Sequence, residues 1–441
     1  MNDGRMTVGA FSETFEPLRN RNLRLYLSGQ AVSLIGTWMQ NAAQAWVVWD
    51  LTKSEAALGT VGMLGTLPLL LLGPISGVWA DRYDRRKILI YTQTTAMILA
   101  FILAADVTLG TVRLWHVYLL AAILGCVGSL DMPSAQAFIG DLAGTGLVRK
   151  AVVLNGMIVQ ISRILGPTLA GQAVQHFGAA TAFWVNGLSF IAVIASLVAV
   201  KAHQQHRGAE AGGGGFLEGL RYMVSQPRIL DLMIFTGSIT FFAFSNAQIL
   251  PAFADKTLHG GAGLYGNIMA ASGVGALVSV LFLVPWAQRV KRIGVAILGA
   301  VGVAGLFIAL FSLTRIPWLA MAAYCVAGMP NPMVLTTNNG LLQVMAPAPM
   351  RARLLTIYLM FSFGLQPIAN LWVGYMAQHL GAPTAILING LSLILVSLLM
   401  TARKGLLQWE PTAGRPAGGP GPQTPVRLQA GENAGPSPRR Q

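Results

Sequence analysis

The sequence predicts an all-α membrane protein with twelve transmembrane helices, arranged in two pseudo-symmetric halves of six helices each. Composition is the first observation: of 441 residues, 54% are hydrophobic and 10% charged. A soluble domain carries about 25% charged residues. An internal repeat is the second: residues 171–189 and 374–392 are identical at 11 of 19 positions at a constant offset of 203. The chain therefore consists of two related membrane-embedded units.

Twelve apolar segments are long enough to cross a bilayer, which takes roughly 20 residues in a helix. We predict spans one to twelve at 23–50, 55–80, 85–107, 114–140, 151–176, 179–201, 229–253, 262–287, 293–314, 317–344, 354–378 and 382–402. They divide the chain into an N-terminal half at 1–201, a cytoplasmic linker at 202–227, a C-terminal half at 228–409 and a tail at 410–441. The tail is rich in proline and glycine, so we expect it to be disordered.

A second register of the repeat has an offset of 207 and pairs Gly59 with Gly266 and Arg85 with Arg292. Repeated halves of about six apolar segments are typical of secondary transporters, in which the substrate site lies between the repeats. This organisation favours a transporter with a central site.

Basic residues predict the orientation. With both termini and the loops after even-numbered spans in the cytoplasm, 25 of the 30 Lys and Arg residues lie on the cytoplasmic side. Anionic lipid headgroups then account for the net charge of +14, and we expect no nucleic-acid partner.

Several chemistries are not suggested by the sequence. No G-x-x-x-x-G-K-[ST] motif occurs, so hydrolysis of ATP within this chain is not expected. Cys126 and Cys325 fall in separate predicted spans, so neither a disulfide nor a metal site is indicated. The spans contain no nucleophile–base pair, and we predict a protein that is not an enzyme and needs no cofactor.

The loop between spans two and three reads Gly-Val-Trp-Ala-Asp-Arg-Tyr-Asp-Arg-Arg over residues 77–86. It resembles the signature G-x-x-x-D-[RK]-x-G-R-[RK] of the major facilitator superfamily, with Asp84 in place of glycine. The resemblance implies the twelve-helix fold of that superfamily and a cytoplasmic gate. The candidate gate residues are Gly77, Asp81, Arg82, Arg85 and Arg86. Alternatively, the arginines only set the topology.

Span five carries Gly166-Pro167 and, four residues later, Gly171. The segment resembles the G-x-x-x-G-P-x-x-G-G motif of the proton-coupled exporters of the superfamily, with Ser162 and Ala170 replacing two glycines. Proline removes a backbone hydrogen bond and kinks a helix, so these residues are candidates for a functional kink. An ordinary glycine–proline kink is the alternative.

Two charged residues lie well inside predicted spans: Asp131 in span four and Arg163 in span five. A charge at the centre of a membrane helix costs on the order of 2.5–3.5 kcal/mol, so such residues usually face the interior and pair. We predict an Asp131–Arg163 ion pair that couples transport to protons. The alternatives are a static salt bridge and an Arg163 that anchors an anionic substrate.

The segment 129–137, with Leu154-Asn155 and parts of span one, resembles the exporter branch that includes enterobactin exporters and transmembrane secretion effectors. This resemblance implies a monomer in the bacterial inner membrane that contacts lipid. It would export a small amphipathic molecule (a siderophore, a drug or a metabolite), driven by protons. A proton-coupled importer and a non-transporting sensor are the alternatives.

In this superfamily, spans one, four, seven and ten surround the central cavity, which selects the candidate lining residues. They are Trp38, Asn41, Gln44, Phe242, Asn246 and Asn338. Interhelical hydrogen bonding is the alternative role for each polar one.

Overall fold

The computed structural model describes residues 16–144, 146–200, 216–348 and 350–403. Its twelve long helices coincide with the predicted spans and are numbered accordingly. They are α1 (Arg21–Thr52), α2 (Glu55–Arg82), α3 (Arg85–Thr108), α4 (Leu114–Ala143), α5 (Val148–Phe177), α6 (Ala179–Ala199), α7 (Pro227–Thr257), α8 (Gly261–Arg289), α9 (Ile293–Leu313), α10 (Pro317–Met345), α11 (Arg351–Leu380) and α12 (Ala382–Thr401). The described residues contain no strand. The predicted tail lies outside them.

Eleven of these helices are long and apolar enough to cross a membrane. The exception is α1, although its 32 residues extend about 48 Å. Three amide side chains within two turns, Gln40, Asn41 and Gln44, lower its hydropathy. Gln40 and Gln44 are buried against other helices, so α1 keeps these amides away from lipid.

The two halves repeat the same helix packing. In the first half α1 packs on α6, α2 on α4, and α3 on α6. The corresponding pairs of the second half are α7 with α12, α8 with α10, and α9 with α12. This correspondence confirms the two-unit organisation predicted from the repeat.

Amide hydrogen bonds whose donors occupy repeat-related positions hold each half together. Asn186 on α6 donates from Nδ2 to Oε1 of Gln40 on α1 at 2.7 Å. Asn389 on α12 donates in the same way to Oδ1 of Asn246 on α7 at 2.7 Å. Asn186 and Asn389 are the first residues of the repeated Asn-Gly-Leu-Ser block. The repeat therefore preserves an interhelical bond in a setting that offers little water.

Helix α7 departs from regular α geometry at a π-helical segment, Ile239–Phe244. A π segment widens the helix and is frequent at functional sites. Asn246 donates to the Phe242 carbonyl at 2.7 Å and to the Ala243 carbonyl at 3.3 Å, which satisfies backbone oxygens within the segment. Further π segments occur in α7, α8 and α11, all in the second half of the described chain.

A short helix, Phe216–Ser225, precedes α7 at the end of the predicted linker. Glu218 of this helix accepts from Arg353 on α11 at 2.6 Å. The linker end is therefore attached to the second half. Residues 201–215 lie outside the described residues.

A candidate translocation site between the two halves

The halves meet along two helix crossings, α5 with α8 and α2 with α11. At one crossing a Cβ added to Gly59 would lie 2.9 Å from the Gly374 Cα. At the other, a Cβ added to Gly266 would lie 3.0 Å from the Gly171 Cα. Only glycine allows two backbones to approach this closely. Gly59 aligns with Gly266 in the repeat, and Gly171 aligns with Gly374, so the interface obeys the pseudo-two-fold symmetry of the sequence.

These crossings lie near the starts of α2 and α8 and the ends of α5 and α11, far from the basic loop at 82–87. We call this end of the bundle the outer end, the opposite end the basic end, and the two crossings together the outer seam. Gln378 on α11 accepts at Oε1 from the Ser54 hydroxyl at 2.8 Å and from the Ala56 amide at 3.2 Å. Its repeat partner Gln175 lies against Gly263 at the start of α8. At each crossing, therefore, a glutamine from the last turn of α5 or α11 contacts the beginning of α8 or α2.

An ionic cluster joins α1, α2 and α7 at the outer end of the bundle. The Lys256 ammonium lies 2.9 Å from Oε1 of Glu55, whose side chain is only 4% exposed. Trp49 donates from its indole nitrogen to Asp255 at 2.9 Å, and Lys53 lies 3.6 Å from the same carboxylate. We call Trp49, Lys53, Glu55, Asp255 and Lys256 the outer cluster. None of the five was predicted as a site residue. Their position could have indicated them, because charged residues are rare at the outer ends of the spans.

The basic end of the bundle lacks a matching seam. There the second-half segments Pro330–Met345 of α10 and Arg351–Leu359 of α11 have extended contacts, among the described residues, only with other second-half segments and with the short helix Phe216–Ser225. Within the described part of the chain, a Cβ added to Gly73, Gly77 or Gly340 would meet nothing within 4 Å. The structure is therefore closed at its outer end and separated at its basic end.

The predicted gate residues of the 2–3 loop make contacts within the first half. Arg85 binds both carboxylate oxygens of Asp141 on α4 at 2.9 Å. Arg86 donates to the Leu197 and Val198 carbonyls at the end of α6, at 2.6 and 2.7 Å. These bonds fix the start of α3 against its neighbours.

The same loop contains Asp84 and Arg82. Asp84, which stands where the superfamily signature has glycine, caps α3 by accepting from the Lys87 amide at 3.1 Å. Arg82 is exposed. The side chain of Asp81 lies outside the described residues, so its gate contact stays a prediction.

The glycine–proline segment of α5 packs on two partners. A Cβ added to Gly166 would lie 2.9 Å from the Ile35 carbonyl oxygen and contact Trp38, so Gly166 allows α5 to cross α1 closely. The Pro167 carbonyl lies against Gly266 of α8, and Gly171 belongs to the outer seam. One short segment therefore joins packing inside the first half to packing between the halves.

The predicted ion pair between Asp131 and Arg163 is wrong for this structure. Oδ1 of Asp131 accepts from the Thr92 hydroxyl at 2.6 Å and from Nε2 of Gln93 at 2.9 Å, both on α3. The only hydrogen bond described for Arg163 goes from Nη1 to Gln160 at 3.4 Å. The two residues have a similar depth on neighbouring helices, but this is not enough to form an ion pair. Asp131 is directed towards α3, whereas Arg163 extends towards α1 and α7.

Arg163 lies where both halves contribute aromatic rings. Its guanidinium carbon is 5.2 Å from the ring centroid of Trp38 on α1 and 5.8 Å from that of Phe244 on α7. Both distances fall within the range of a cation–π contact. Phe244 is the last residue of the π segment of α7. It was not predicted as a site residue, although its neighbour Phe242 was.

The other predicted lining residues separate into two groups. Trp38 and Phe242 are partly accessible, and Asn41 is exposed one turn from Trp38. The second group is buried: Gln44 is 9% exposed, and Asn246 and Asn338 are 0% exposed. The complete burial of Asn246 and Asn338 corrects the assignment of these two residues to the cavity. Asn246 is bound by Asn389, and Asn338 donates to the Leu232 carbonyl at 3.2 Å and to Thr236 at 3.0 Å. Their amides join helices, as the alternative held.

The sequence matches the family model of transmembrane secretion effectors over residues 12–436. An uncharacterised transporter of the major facilitator type, YfiS of Bacillus subtilis, is 24% identical, with 88% of this chain and 94% of the relative covered. The staphyloferrin A transporter of Staphylococcus aureus is 21% identical, with coverages of 85% and 94%. The enterobactin exporter EntS of Citrobacter koseri is 25% identical, with coverages of 82% and 84%.

Solved structures of transporters share the fold. The nucleoside transporter NupG superposes with a TM-score of 0.66 at 15% identity, with 89% of this chain and all of that chain (100%) covered. The peptide transporter POT in complex with sulfate gives 0.69 at 14% identity, with coverages of 88% and 96%. At this identity the likeness concerns the fold alone. The match to the family model over residues 12–436 shows that this multi-pass membrane protein belongs to the transmembrane secretion effector family of major facilitator transporters.

Proposed function

We propose that this transporter exports a small amphipathic molecule across the bacterial inner membrane in exchange for protons. Both termini are cytoplasmic in this proposal, so substrate enters from the basic end. The names of two relatives, an enterobactin exporter and a staphyloferrin A transporter, support a siderophore-like substrate. The Gly166-Pro167 segment supports export, through its resemblance to the motif of proton-coupled exporters.

The observation that carries the coupling is the environment of Asp131. This carboxylate lies in the middle of α4 and is bound by two neutral donors, Thr92 and Gln93, rather than by a cation. A carboxylate without a cationic partner in a membrane helix is costly, and protonation removes that cost. A proton can bind there while the two hydrogen bonds to Oδ1 remain. Asp131 is therefore our candidate for the coupling residue.

In alternating access, the outer end would open while the basic end closes, and the reverse change would return the transporter to its first state. In the state described above, the outer seam is closed and the basic end is separated, so the central site faces the cytoplasm. Opening the outer end separates Glu55 from Lys256. It also separates the two glycines that meet at each crossing. Closing the basic end brings Gly77 and Asp81 towards α11, where the predicted gate would stabilise the other state.

The proton gradient is large enough for such a cycle. One proton that enters down a potential of 100 mV supplies about 2.3 kcal/mol. Each unit of pH difference adds about 1.4 kcal/mol. Two protons could therefore support a substrate gradient of more than a hundredfold.

Inverted membrane vesicles test the direction, because their cytoplasmic face points outward. Radiolabelled siderophores and macrolides would be added to vesicles with an acidified interior, with vesicles lacking the protein as the control. An exporter accumulates substrate inside, and nigericin abolishes this accumulation by collapsing the pH gradient. Substrate release from preloaded inverted vesicles, with no uptake, would instead indicate an importer. Specific binding of a ligand without flux in either direction would indicate a sensor.

A further inference from the structure

Arg163 is held by aromatic rings instead of by an acid. Among the residues that the structure describes, no carboxylate oxygen comes within 4.0 Å of its guanidinium. Its guanidinium contacts the ring faces of Trp38 and Phe244 and the amide of Gln160, and Tyr324 on α10 also lies close enough to interact with its charge. A guanidinium carries five N–H donors in one plane, and aromatic faces leave most of them without acceptors.

The ring faces do not accept from these in-plane N–H groups, so the guanidinium keeps donors with which it can bind an anionic ligand. Arg163 is only partly buried, and the halves are separated at the basic end of the molecule. A ligand can therefore approach from that side. A planar guanidinium that is already ordered by ring contacts matches a planar oxyanion, which it binds through two parallel hydrogen bonds.

The position of Arg163 lets one ligand contact both halves. Trp38 and Arg163 belong to the first half and Phe244 to the second. The backbone of Arg163 also packs on α8, since a Cβ added to Gly273 would lie 3.2 Å from the Arg163 carbonyl oxygen. A ligand held here makes different contacts when the halves move relative to each other, which is the requirement for a ligand to bias a conformational equilibrium.

We propose that Arg163, Trp38 and Phe244 form an anion subsite that binds a carboxylate, or a comparable planar oxyanion, carried on an aromatic or apolar body. The guanidinium pairs with the oxyanion, and the two rings contact the apolar body. Asn41, exposed on the same face of α1 as Trp38, supplies a neutral amide nearby. This inference rests on the proposed function, because it names the chemical class of the exported molecule.

Two isosteric probes separate charge from shape: salicylate, an anion at neutral pH, and salicylamide, its uncharged amide. Their binding to the purified full-length protein would be measured by titration calorimetry. We expect wild type to bind salicylate about tenfold more tightly than salicylamide, which corresponds to about 1.4 kcal/mol. Arg163→Gln should lose this preference, and Arg163→Lys should keep part of it, since a lysine pairs as a point charge.

Arg315→Gln is the matched control, because Arg315 is exposed at the outer end, at the start of α10. It should bind both probes as wild type does. Elution as a single species and a wild-type Tm establish that each variant is folded. If Arg163→Gln fails this check, Arg163→Lys, which retains the charge, serves as the test variant. Equal binding of the two probes by wild type would overturn the subsite. So would a salicylate preference that survives in Arg163→Gln, or no saturation by about 10 mM.

The outcome can be separated from that of the transport experiments. An Arg163-dependent preference for salicylate, with no flux of any substrate in vesicles, would keep the anion subsite and contradict export. Export of macrolides or other uncharged and cationic compounds, with no preference for the anionic probe, would keep export and contradict the subsite.

Discussion

Lys256 of the second half and Glu55 of the first half form an ion pair of 2.9 Å across the outer end of the molecule. Glu55 is nearly buried, whereas the lysine remains half exposed and also lies 4.8 Å from the ring centroid of Trp49. Removing one partner of a buried charge leaves the other without compensation. This pair is therefore well placed to favour the state in which the outer seam is closed.

We predict that Glu55→Gln shifts the transporter towards the state that is open at its outer end. A loss of about 1 kcal/mol would change the ratio of the two states roughly fivefold. The reporter is Asn370→Cys, buried on the α11 face that carries Gly374, in a background with Cys126 and Cys325 replaced by serine. A membrane-impermeant maleimide added from outside should label it faster in Glu55→Gln.

Charge reversal supplies the control for that experiment. The double variant Glu55→Lys with Lys256→Glu should return the labelling rate towards that of the parent, while each single reversal should raise it. If Glu55→Gln labels at the parental rate, the outer pair does not bias the conformational equilibrium.

The glycine crossings predict a pair of matched stability effects. An added methyl group at Gly59 or at Gly266 meets backbone atoms of the other half, so Gly59→Ala and Gly266→Ala should each cost about 1–3 kcal/mol through overpacking. Gly340→Ala, in a helix interior with open space around it, is the control and should not lower the Tm. Thermal unfolding in detergent measures all three. A Gly59→Ala variant as stable as Gly340→Ala would contradict the tight crossing.

The repeat-related amides should contribute similarly in both halves. Interhelical hydrogen bonds in membrane proteins contribute about 0.6 kcal/mol on average, and at most about 1.7. We expect a double-mutant cycle of Asn186→Ala with Gln40→Ala to give a coupling energy in this range. The cycle of Asn389→Ala with Asn246→Ala should give the same. A coupling near zero in one half only would show that the repeat preserves the residue but not the interaction.

The predicted gate residue Asp81 is tested by Asp81→Asn. This variant should reach the wild-type protein level and yet transport more slowly, because the charge would no longer stabilise the state closed at the basic end. Quantitative immunoblotting and substrate uptake by inverted vesicles measure the two quantities together. Unchanged transport at an equal protein level would rule out the gate role.

Regular features of the sequence predicted the fold well. The twelve apolar segments became helices, and the largest difference at an end is in α7, predicted to end at 253 and observed to end at Thr257. The repeat offsets also mark the interface between the two halves. Gly59 and Gly171 were identified as repeated residues, and with their partners they form the interface between the halves.

The site was less predictable, because hydropathy and spacing do not define which way a polar side chain points. Asn246 and Asn338 fall in spans that surround the cavity, yet both face other helices. Asp131 and Arg163 have comparable depth but are directed to different neighbours. The π segment that ends at Phe244 has no signal in the apolar pattern, so its ring was not expected beside Arg163.

The most direct test of the central claim measures proton movement in liposomes that contain purified protein and a pH-sensitive dye. Siderophores, macrolides and cationic dyes would be added to wild type, to Asp131→Asn and to the control Asp106→Asn. Asp131→Asn keeps an oxygen that accepts from Thr92 and Gln93 but cannot bind the coupling proton. Asp106 lies at the outer end of α3 beside His116.

The proposal predicts substrate-driven proton movement in wild type and in Asp106→Asn, and its loss in Asp131→Asn. Proton movement that persists in Asp131→Asn would contradict coupling at this carboxylate and leave Asp131 as a structural partner of Thr92 and Gln93.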